Sequence, residues 1–324
     1  MSSYRVAYMQ ALTNSLAKEL KSIKSVETIF IGGGTPSTIE PKLYENIFKL
    51  LEPLLSKDTE ITIEANPNSA TKERLEGMRA LGVNRVSFGV QSFDENKLVL
   101  LNRAHTANQA KEAVINASKV GFKNISLDII YDLFSDTKEL IKKDLDIALS
   151  LPINHISSYE LTLEKATEFI KRPEVKKGSE ELGFFLRDYI VSKGLEQYEV
   201  SNYGIYKSRH NLGYWQHKEY LGVGAGAVGF IDNRRYHQHS NLELFIKEPT
   251  FKRYEVLSKE DILTEKILLG LRSIVGISEN ILTSTMLKRA NLLVNEGKLE
   301  YKNGSFYNKE FFLSDEIALF IMEN

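Results

Sequence analysis

Ile29-Phe30-Ile31-Gly32-Gly33-Gly34-Thr35-Pro36 joins a short apolar run to three consecutive glycines. The apolar run predicts a buried strand at Glu27–Ile31. The glycines allow a ligand to approach the backbone closely and expose its N–H groups, so Gly33, Gly34 and Thr35 are candidate binding residues. The stretch lacks the lysine of a phosphate loop and the spacing of a dinucleotide fingerprint, and a simple tight turn is the alternative interpretation.

Short apolar runs and helical segments alternate along most of the chain before Lys252. Helical periodicity is clear at Leu43, Ile47 and Leu54, and Thr106 with Gln109 begins another helix with a capping box. Repeated strand–helix units predict an α/β fold with a parallel sheet, although periodicity alone leaves both an open doubly wound sheet and a barrel as alternatives. Further strands are predicted at 60–64, 85–90, 125–130, 155–159 and 197–200.

After Lys252 the pattern changes to helices followed by a hairpin. The pair Asn303-Gly304 favours a type I′ turn within a hairpin at 298–307, and Ser314 is predicted to cap the last helix. Such an arrangement predicts a small winged-helix-like module. We therefore expect one large domain at residues 1–235 and a C-terminal domain at residues 236–324.

The numbers of basic and acidic residues are nearly equal, so the protein is not strongly basic. Lys and Arg number 42 against 43 Asp and Glu, so no global basic field would attract nucleic acid. A nucleic-acid-binding winged helix is an alternative for the C-terminal module, but Glu296 and Glu300 balance its basic residues. Neither a bilayer-spanning apolar run nor a signal-peptide pattern is present, so we expect a cytoplasmic location without stable membrane insertion.

Polar side chains stand at the carboxyl ends of successive predicted strands, which is where ligands gather in parallel α/β folds. Glu64, Gln91 and Asp128 are the candidates. One carboxylate at a strand end is usually paired or solvated, but Asp128 lies in an apolar run, where burial is costly without a partner. Arg103 is a candidate partner of Asp128 or a candidate ligand clamp, with a solvated helix residue as the alternative. Together these positions favour a cofactor cleft.

Two histidine patterns are candidates for ligand binding. His210-Asn211-Leu212-Gly213-Tyr214-Trp215 places the single tryptophan near a histidine, with aromatic packing between domains as the alternative. His237-Gln238-His239 has the spacing of a strand face more than that of a metal chelate. No pair of histidines has the spacing of a zinc hydrolase.

The chain resembles the radical SAM proteins related to oxygen-independent coproporphyrinogen III oxidase, the HemN/HemW family. Ile31–Ser37 is similar to the family's glycine motif, and Glu64-Ala65-Asn66-Pro67 is similar to its strand-end glutamate. Gly89–Phe93, Asn102-Arg103 and Leu127–Tyr131 are similar to positions that line the same cofactor.

The resemblance is greatest to the haem-chaperone branch of that family, HemW, because Tyr198–Tyr203 followed by His210–Trp215 is similar to its signature. The resemblance implies a partial parallel β/α barrel. It also implies S-adenosylmethionine as a cofactor at Gly33, Gly34, Thr35, Glu64, Gln91, Arg103 and Asp128. Haem binding is implied at His210. The implied partners are haem and a haem-accepting protein, with a homodimer left open and no nucleic acid.

The sequence departs from the family at two places. The family opens with a strand and a Cys-x-x-x-Cys-x-x-Cys loop that holds a [4Fe–4S] cluster, whereas this chain has no cysteine. We expect that it starts after that loop, lacks the first strand and is inactive in radical chemistry. Tyr131-Asp132-Leu133-Phe134 replaces the usual Tyr-Gly-Leu-Pro, which predicts a different loop. A coproporphyrinogen dehydrogenase of porphyrin biosynthesis is the alternative function.

Overall fold

The computed structural model describes residues 3–163 and 173–323. The chain forms two compact units, each built from separated stretches. The sheet unit is formed from Thr28–Lys42 and Thr59–Lys207, and the terminal unit from Met1–Glu27, Leu43–Asp58 and Ser208–Asn324. The predicted domains, residues 1–235 and 236–324, are each one continuous stretch of sequence. That division stays a prediction. The expected start after a cluster loop involves Met1 and Ser2, which lie outside the described residues.

The helices and strands of the described residues follow the predicted alternation. The helices are α1 (Ser3–Glu19), α2 (Glu45–Leu51), α3 (Lys72–Ala80), α4 (Glu95–Leu100), α5 (Ala107–Lys119), α6 (Lys138–Ser150), α7 (Glu180–Ser192), α8 (Arg209–Trp215), α9 (Leu242–Lys247), α10 (Lys259–Leu271), α11 (Ser284–Asn295) and α12 (Ser314–Met322). The strands are β1 (Thr28–Ile31), β2 (Glu60–Ala65), β3 (Arg85–Gln91), β4 (Asn124–Tyr131), β5 (His155–Glu160), β6 (Glu196–Gln197), β7 (Asn202–Gly204), β8 (Val228–Ile231), β9 (Arg234–His237), β10 (Arg253–Val256), β11 (Ile277–Ser278), β12 (Leu299–Lys302) and β13 (Ser305–Asn308).

The main sheet has the strand order β1-β2-β3-β4-β5-β7-β6. Strands β1 to β5 are parallel, whereas β7 runs antiparallel to both β5 and β6. A doubly wound sheet reverses its strand order at a switch point, but these parallel strands lie in the order of the sequence. The order therefore decides between the two alternatives and confirms the partial β/α barrel.

The predicted strand at 197–200 is wrong in its extent. Strand β6 ends at Gln197, and the chain turns before β7. Tyr198 is fully buried, and its hydroxyl lies 2.8 Å from His155 Nε2. The alternating pattern at these positions therefore belongs to a buried turn and not to a strand. The hydrogen bond between Tyr198 and the distant His155 outweighs the local strand propensity.

Local turn chemistry was predicted better than the final helix cap. Thr106 and Gln109 form the capping box of α5, and Asn303 and Gly304 turn the β12–β13 hairpin with φ values of +53° and +76°. Ser314 does not cap α12, because it is already the first helical residue and Leu313 precedes it without a side-chain cap. A 3₁₀ turn at Phe311–Leu313 leads directly into the helix instead.

The terminal unit contains the predicted C-terminal helices and hairpin. A core that includes Ile267, Leu293, Phe306 and Ile321 joins α10, α11 and α12 to the antiparallel sheet β11-β13-β12. A second antiparallel sheet, β10-β9-β8, was not predicted. No helix in the described part of the chain is long and apolar enough to cross a membrane.

Candidate functional site

A cavity of about 160 Å³ lies in the sheet unit and is lined by residues that end or follow β1, β2 and β3, together with one residue of β4. The strands are parallel, so the ends of β1, β2 and β3 meet at one edge of the sheet. The structure brings six of the eight predicted site residues to this cavity, namely Gly33, Gly34, Thr35, Glu64, Gln91 and Asp128.

The glycine loop after β1 provides an open backbone wall. Gly33 has a φ of +99°, which L side chains rarely adopt, and its N–H donates to Glu64 Oε2 at 3.2 Å. A Cβ added at Gly33 or Gly34 would meet nothing within 4 Å. The loop therefore leaves space beside its backbone, while one of its N–H groups fixes the neighbouring carboxylate.

Two carboxyl groups face the cavity. Burial raises the pKa of Asp128 to about 6, and the opposing effects of hydrogen bonds from Ser87 and Ser157 and of two arginines, Arg85 and Arg103, do not cancel it. The pKa of Glu64 is also raised, first by burial and then by the charge of Asp128, whereas the Gly33 N–H lowers it. Two close carboxylates that are short of solvent favour a ligand that brings positive charge.

Gln91 is held in an unusual conformation at the end of β3. Its φ is +69°, and the β3–β4 register shifts between Phe88 and Gln91. The side chain is 7% exposed, and its Oε1 is buried without a hydrogen-bond partner. A strained backbone costs about 1–2 kcal/mol and an unpaired buried acceptor adds to this cost, and such features cluster at binding sites.

Arg103 lies in the turn after α4 and is not among the residues that line the cavity. Its Nε is buried without a hydrogen-bond partner. Burial lowers the pKa of Arg103, and the charge of Asp128 opposes that shift. The charges of Arg103 and Asp128 therefore influence each other's pKa, and the role of Arg103 as the partner of Asp128 stays a prediction.

Sequence reasoning missed a buried ionic cluster that supports Gln91. Lys97 Nζ lies 2.9 Å from Asp136 and 3.9 Å from Asp144, and all three side chains are at most 2% exposed. Asp144 accepts hydrogen bonds from Ser92 Oγ at 2.6 Å and from the Phe93 N–H at 2.7 Å. The cluster therefore holds the segment that follows Gln91. A sequence signal existed, because Asp144 occupies the apolar face of α6.

The loop at Asp132 has a backbone conformation that glycine adopts readily, and its predicted difference from the family's loop stays a prediction. Asp132 has a φ of +73° where the family usually has glycine. Its carboxylate accepts from the N–H groups of Gly178 and Ser179 at 2.9 and 2.8 Å. These local hydrogen bonds offset the cost of a left-handed conformation in a non-glycine residue.

His210 lies in the terminal unit, on α8. Its Nε2 is 3.0 Å from the hydroxyl of Tyr214, and the two rings meet edge to face at 4.9 Å between centroids. Trp215 Nε1 is buried without a hydrogen-bond partner. The motif therefore combines a partly exposed imidazole, a phenol and a buried indole N–H donor that has no acceptor.

His237 and His239, the other histidine pattern, make packing and charge contacts with neighbouring side chains. His239 stacks on Phe251 with ring centroids 3.9 Å apart, and His237 lies on β9 with Nε2 3.7 Å from Glu255. No group of three or more His, Asp or Glu within 3–163 and 173–323 could hold a metal ion.

Comparisons with known proteins agree on the family. The Radical SAM superfamily matches residues 9–148. The heme chaperone HemW of Lactococcus lactis subsp. lactis is 36% identical over 286 residues, which cover 83% of this chain and 75% of that protein. HemW of Bacillus subtilis is 34% identical over 296 residues, which cover 85% and 77%.

The fold is similar to a solved structure. Coproporphyrinogen III oxidase (HemN) from Escherichia coli, described as a radical SAM enzyme, superimposes with a TM-score of 0.81 at 19% identity, covering 100% of this chain and 85% of that chain. This likeness shows the fold alone, whereas the HemW relatives exceed 30% identity over at least 75% of their lengths. The chain therefore belongs to the HemN/HemW family of radical SAM proteins.

Proposed function

We propose that this protein is a haem chaperone of the HemW type, which binds haem at His210 and S-adenosylmethionine in the cavity of the sheet unit. The observation that carries the proposal is the His210–Tyr214 pair, 3.0 Å apart, in a chain 36% identical to a protein named heme chaperone HemW. A haem-accepting protein as partner, a homodimer and a cytoplasmic location stay predictions.

The cavity residues suit S-adenosylmethionine. Open space beside Gly33 and Gly34 leaves room for the amino-acid end of the cofactor, and the unpaired Gln91 Oε1 can accept one of its N–H groups. S-adenosylmethionine supplies a positively charged sulfonium centre when bound. The carboxylates of Glu64 and Asp128 balance that charge, while Arg103 limits the net negative charge of the site.

The residues of this chain do not suit a [4Fe–4S] cluster. Such clusters are held by cysteine thiolates, and the 324 residues contain no cysteine. The chain therefore has no residue that could hold the cluster on which radical chemistry depends. Its proposed function rests on binding, in which the S-adenosylmethionine site and the haem site are each tested directly.

The alternative function is an oxygen-independent coproporphyrinogen III dehydrogenase. The fold likeness to HemN favours it, but 19% identity carries less weight than the identity to the HemW relatives. Coproporphyrinogen conversion by the gene product in an anaerobic assay would favour this alternative over the chaperone.

Haem titration followed by the Soret band tests the proposal. We expect saturable binding by the wild-type protein and at least about a tenfold loss of affinity, or about 1.4 kcal/mol, in His210→Ala, because His210 would supply the imidazole that holds haem. His237→Ala is the matched control, because His237 lies on β9 and should leave haem affinity unchanged. Haem binding by His210→Ala equal to wild type, or no binding by wild type, would overturn the proposal.

A further inference from the structure

A second cavity, of about 390 Å³, lies within the terminal unit. Aromatic and aliphatic side chains form its walls, and charged side chains also line it. The wall residues are Tyr214, His217, Tyr220, Phe230, Leu268 and Leu269, and the charged residues are Lys218, Arg235, Glu265 and Arg272.

The walls suit a flat, apolar ring. Tyr214 meets Tyr220 edge to face at 4.7 Å between ring centroids, and His217 meets Phe230 in the same way at 4.7 Å. Aromatic pairs of this kind present rigid surfaces on which a planar ligand packs at low entropic cost. Helix α10 adds Leu268 and Leu269.

The charged residues suit carboxylates on that ring. Three of the four are cations, and two of the cations are arginines, whose planar guanidinium groups bind carboxylates in pairs of hydrogen bonds. Arg272 already makes such a pair with Asp315, at 2.8 and 2.6 Å. Asp315 is 58% exposed, so a ligand carboxylate can replace it at little cost.

The wall residue Tyr214 connects this cavity to His210. Its hydroxyl lies 3.0 Å from His210 Nε2, while its ring lines the cavity. A ligand in the cavity would thus lie against the residue that pairs with the proposed haem-binding histidine.

We propose that this cavity seats the tetrapyrrole ring of haem, with its propionate carboxylates bound at Arg272 and Arg235. The inference rests on the proposed haem-chaperone function and names the subsite that this function requires. It makes Arg272 a specificity-determining residue for a carboxylate-bearing ring. Arg235 also joins Glu265 in an ion pair that supports the cavity wall, so Arg272 is the better residue to test.

Titrations with haem and with haem dimethyl ester test the charge recognition. We expect Arg272→Gln to weaken haem binding by roughly three- to tenfold and to leave ester binding unchanged, because the ester has no carboxylate to lose. Arg289→Gln is the matched control in the same unit, since Arg289 pairs with Glu323 outside the cavity and should match wild type with both ligands.

Leu269→Trp tests the ring seat by filling the cavity, and circular dichroism verifies that the variant is folded. We expect Leu269→Trp to weaken the binding of haem and of haem dimethyl ester to the same extent. Wild-type haem binding that is lost in His210→Ala but retained by both Arg272→Gln and Leu269→Trp would overturn the seat and leave the chaperone function intact. Absence of any haem binding by wild type would overturn both.

Discussion

Asp128 shows at the residue scale how a buried carboxylate costs stability. Its carboxyl group is surrounded by β-strand side chains, and burial raises its pKa from 3.8 to about 6. Hydrogen bonds from Ser87 and Ser157 reduce this shift without abolishing it. Near neutral pH the folded protein therefore holds a carboxylate that would be more stable in water.

The variant Asp128→Asn should be more stable than wild type at neutral pH. A raised folded-state pKa gives stability that is complete below pH 3.8 and lost as the pH rises through about 6. The gain at pH ~7.5 is at most about 3 kcal/mol, because one pKa unit corresponds to about 1.4 kcal/mol. Urea unfolding at pH ~4 and ~7.5 measures it, and an equal effect at both pH values would contradict the assignment.

The same carboxylate should make S-adenosylmethionine binding depend on pH. Asp128 is negative above its pKa of about 6 and neutral below it, so the cationic sulfonium is favoured at higher pH. Calorimetric titration of the wild-type protein should show weaker binding at pH ~5 than at pH ~7.5, and Asp128→Asn should reduce this difference. A pH dependence that survives in Asp128→Asn would assign it to another group, Glu64 being the next candidate.

At the scale of elements, the Lys97 cluster joins α4, α6 and the segment after β4. Lys97 is 1% exposed and faces two carboxylates, of which Asp144 accepts from Ser92 and Phe93. Burial raises the pKa of Asp144, while Ser92 and Lys97 lower it. The cluster thus fixes the chain beside Gln91 by ion pairs between buried side chains, which water does not reach to solvate the charges.

The variant Lys97→Met should lose about 3–5 kcal/mol in the free energy of unfolding, because it leaves Asp136 and Asp144 buried without a cation. Lys138→Met is the control, since Lys138 pairs with Glu181 on the surface and should cost no more than about 1 kcal/mol. Chemical denaturation measures both. Equal losses in the two variants would show that the buried pair contributes no more than the exposed one.

At the scale of the whole molecule, the residues that line the cavity are present, whereas cysteine ligands for an iron–sulfur cluster are absent from the sequence. The chain matches the radical SAM superfamily and has a cavity at the ends of its parallel strands, but none of its 324 residues is a cysteine that could supply a thiolate. Anaerobic incubation of the purified protein with iron and sulfide should therefore yield no visible absorbance from a bound cluster and no cleavage of S-adenosylmethionine. Stoichiometric cluster absorbance after gel filtration would contradict this expectation.

Local chemistry in the sequence was enough to identify the five parallel strands and the C-terminal hairpin. The apolar runs predicted β1 to β5, the capping box predicted the start of α5, and Asn303-Gly304 predicted the β12–β13 turn. These features follow from periodicity and from backbone preferences of neighbouring residues, so they need no knowledge of the fold. The strand-end rule likewise predicted that Gly33, Glu64, Gln91 and Asp128 line one cavity.

Only the tertiary structure decided what depends on distant partners. Tyr198 lies outside a strand because its hydroxyl forms a hydrogen bond with His155. The strand order distinguished the barrel from a doubly wound sheet. Lys97 pairs with Asp136 and Asp144 in the interior. Burial that removes water from a charge or a hydroxyl is a property of the packed chain. For that reason the sequence determined where the parallel strands β1 to β5 end and which residues stand there, and the fold determined which charges are buried and what holds them.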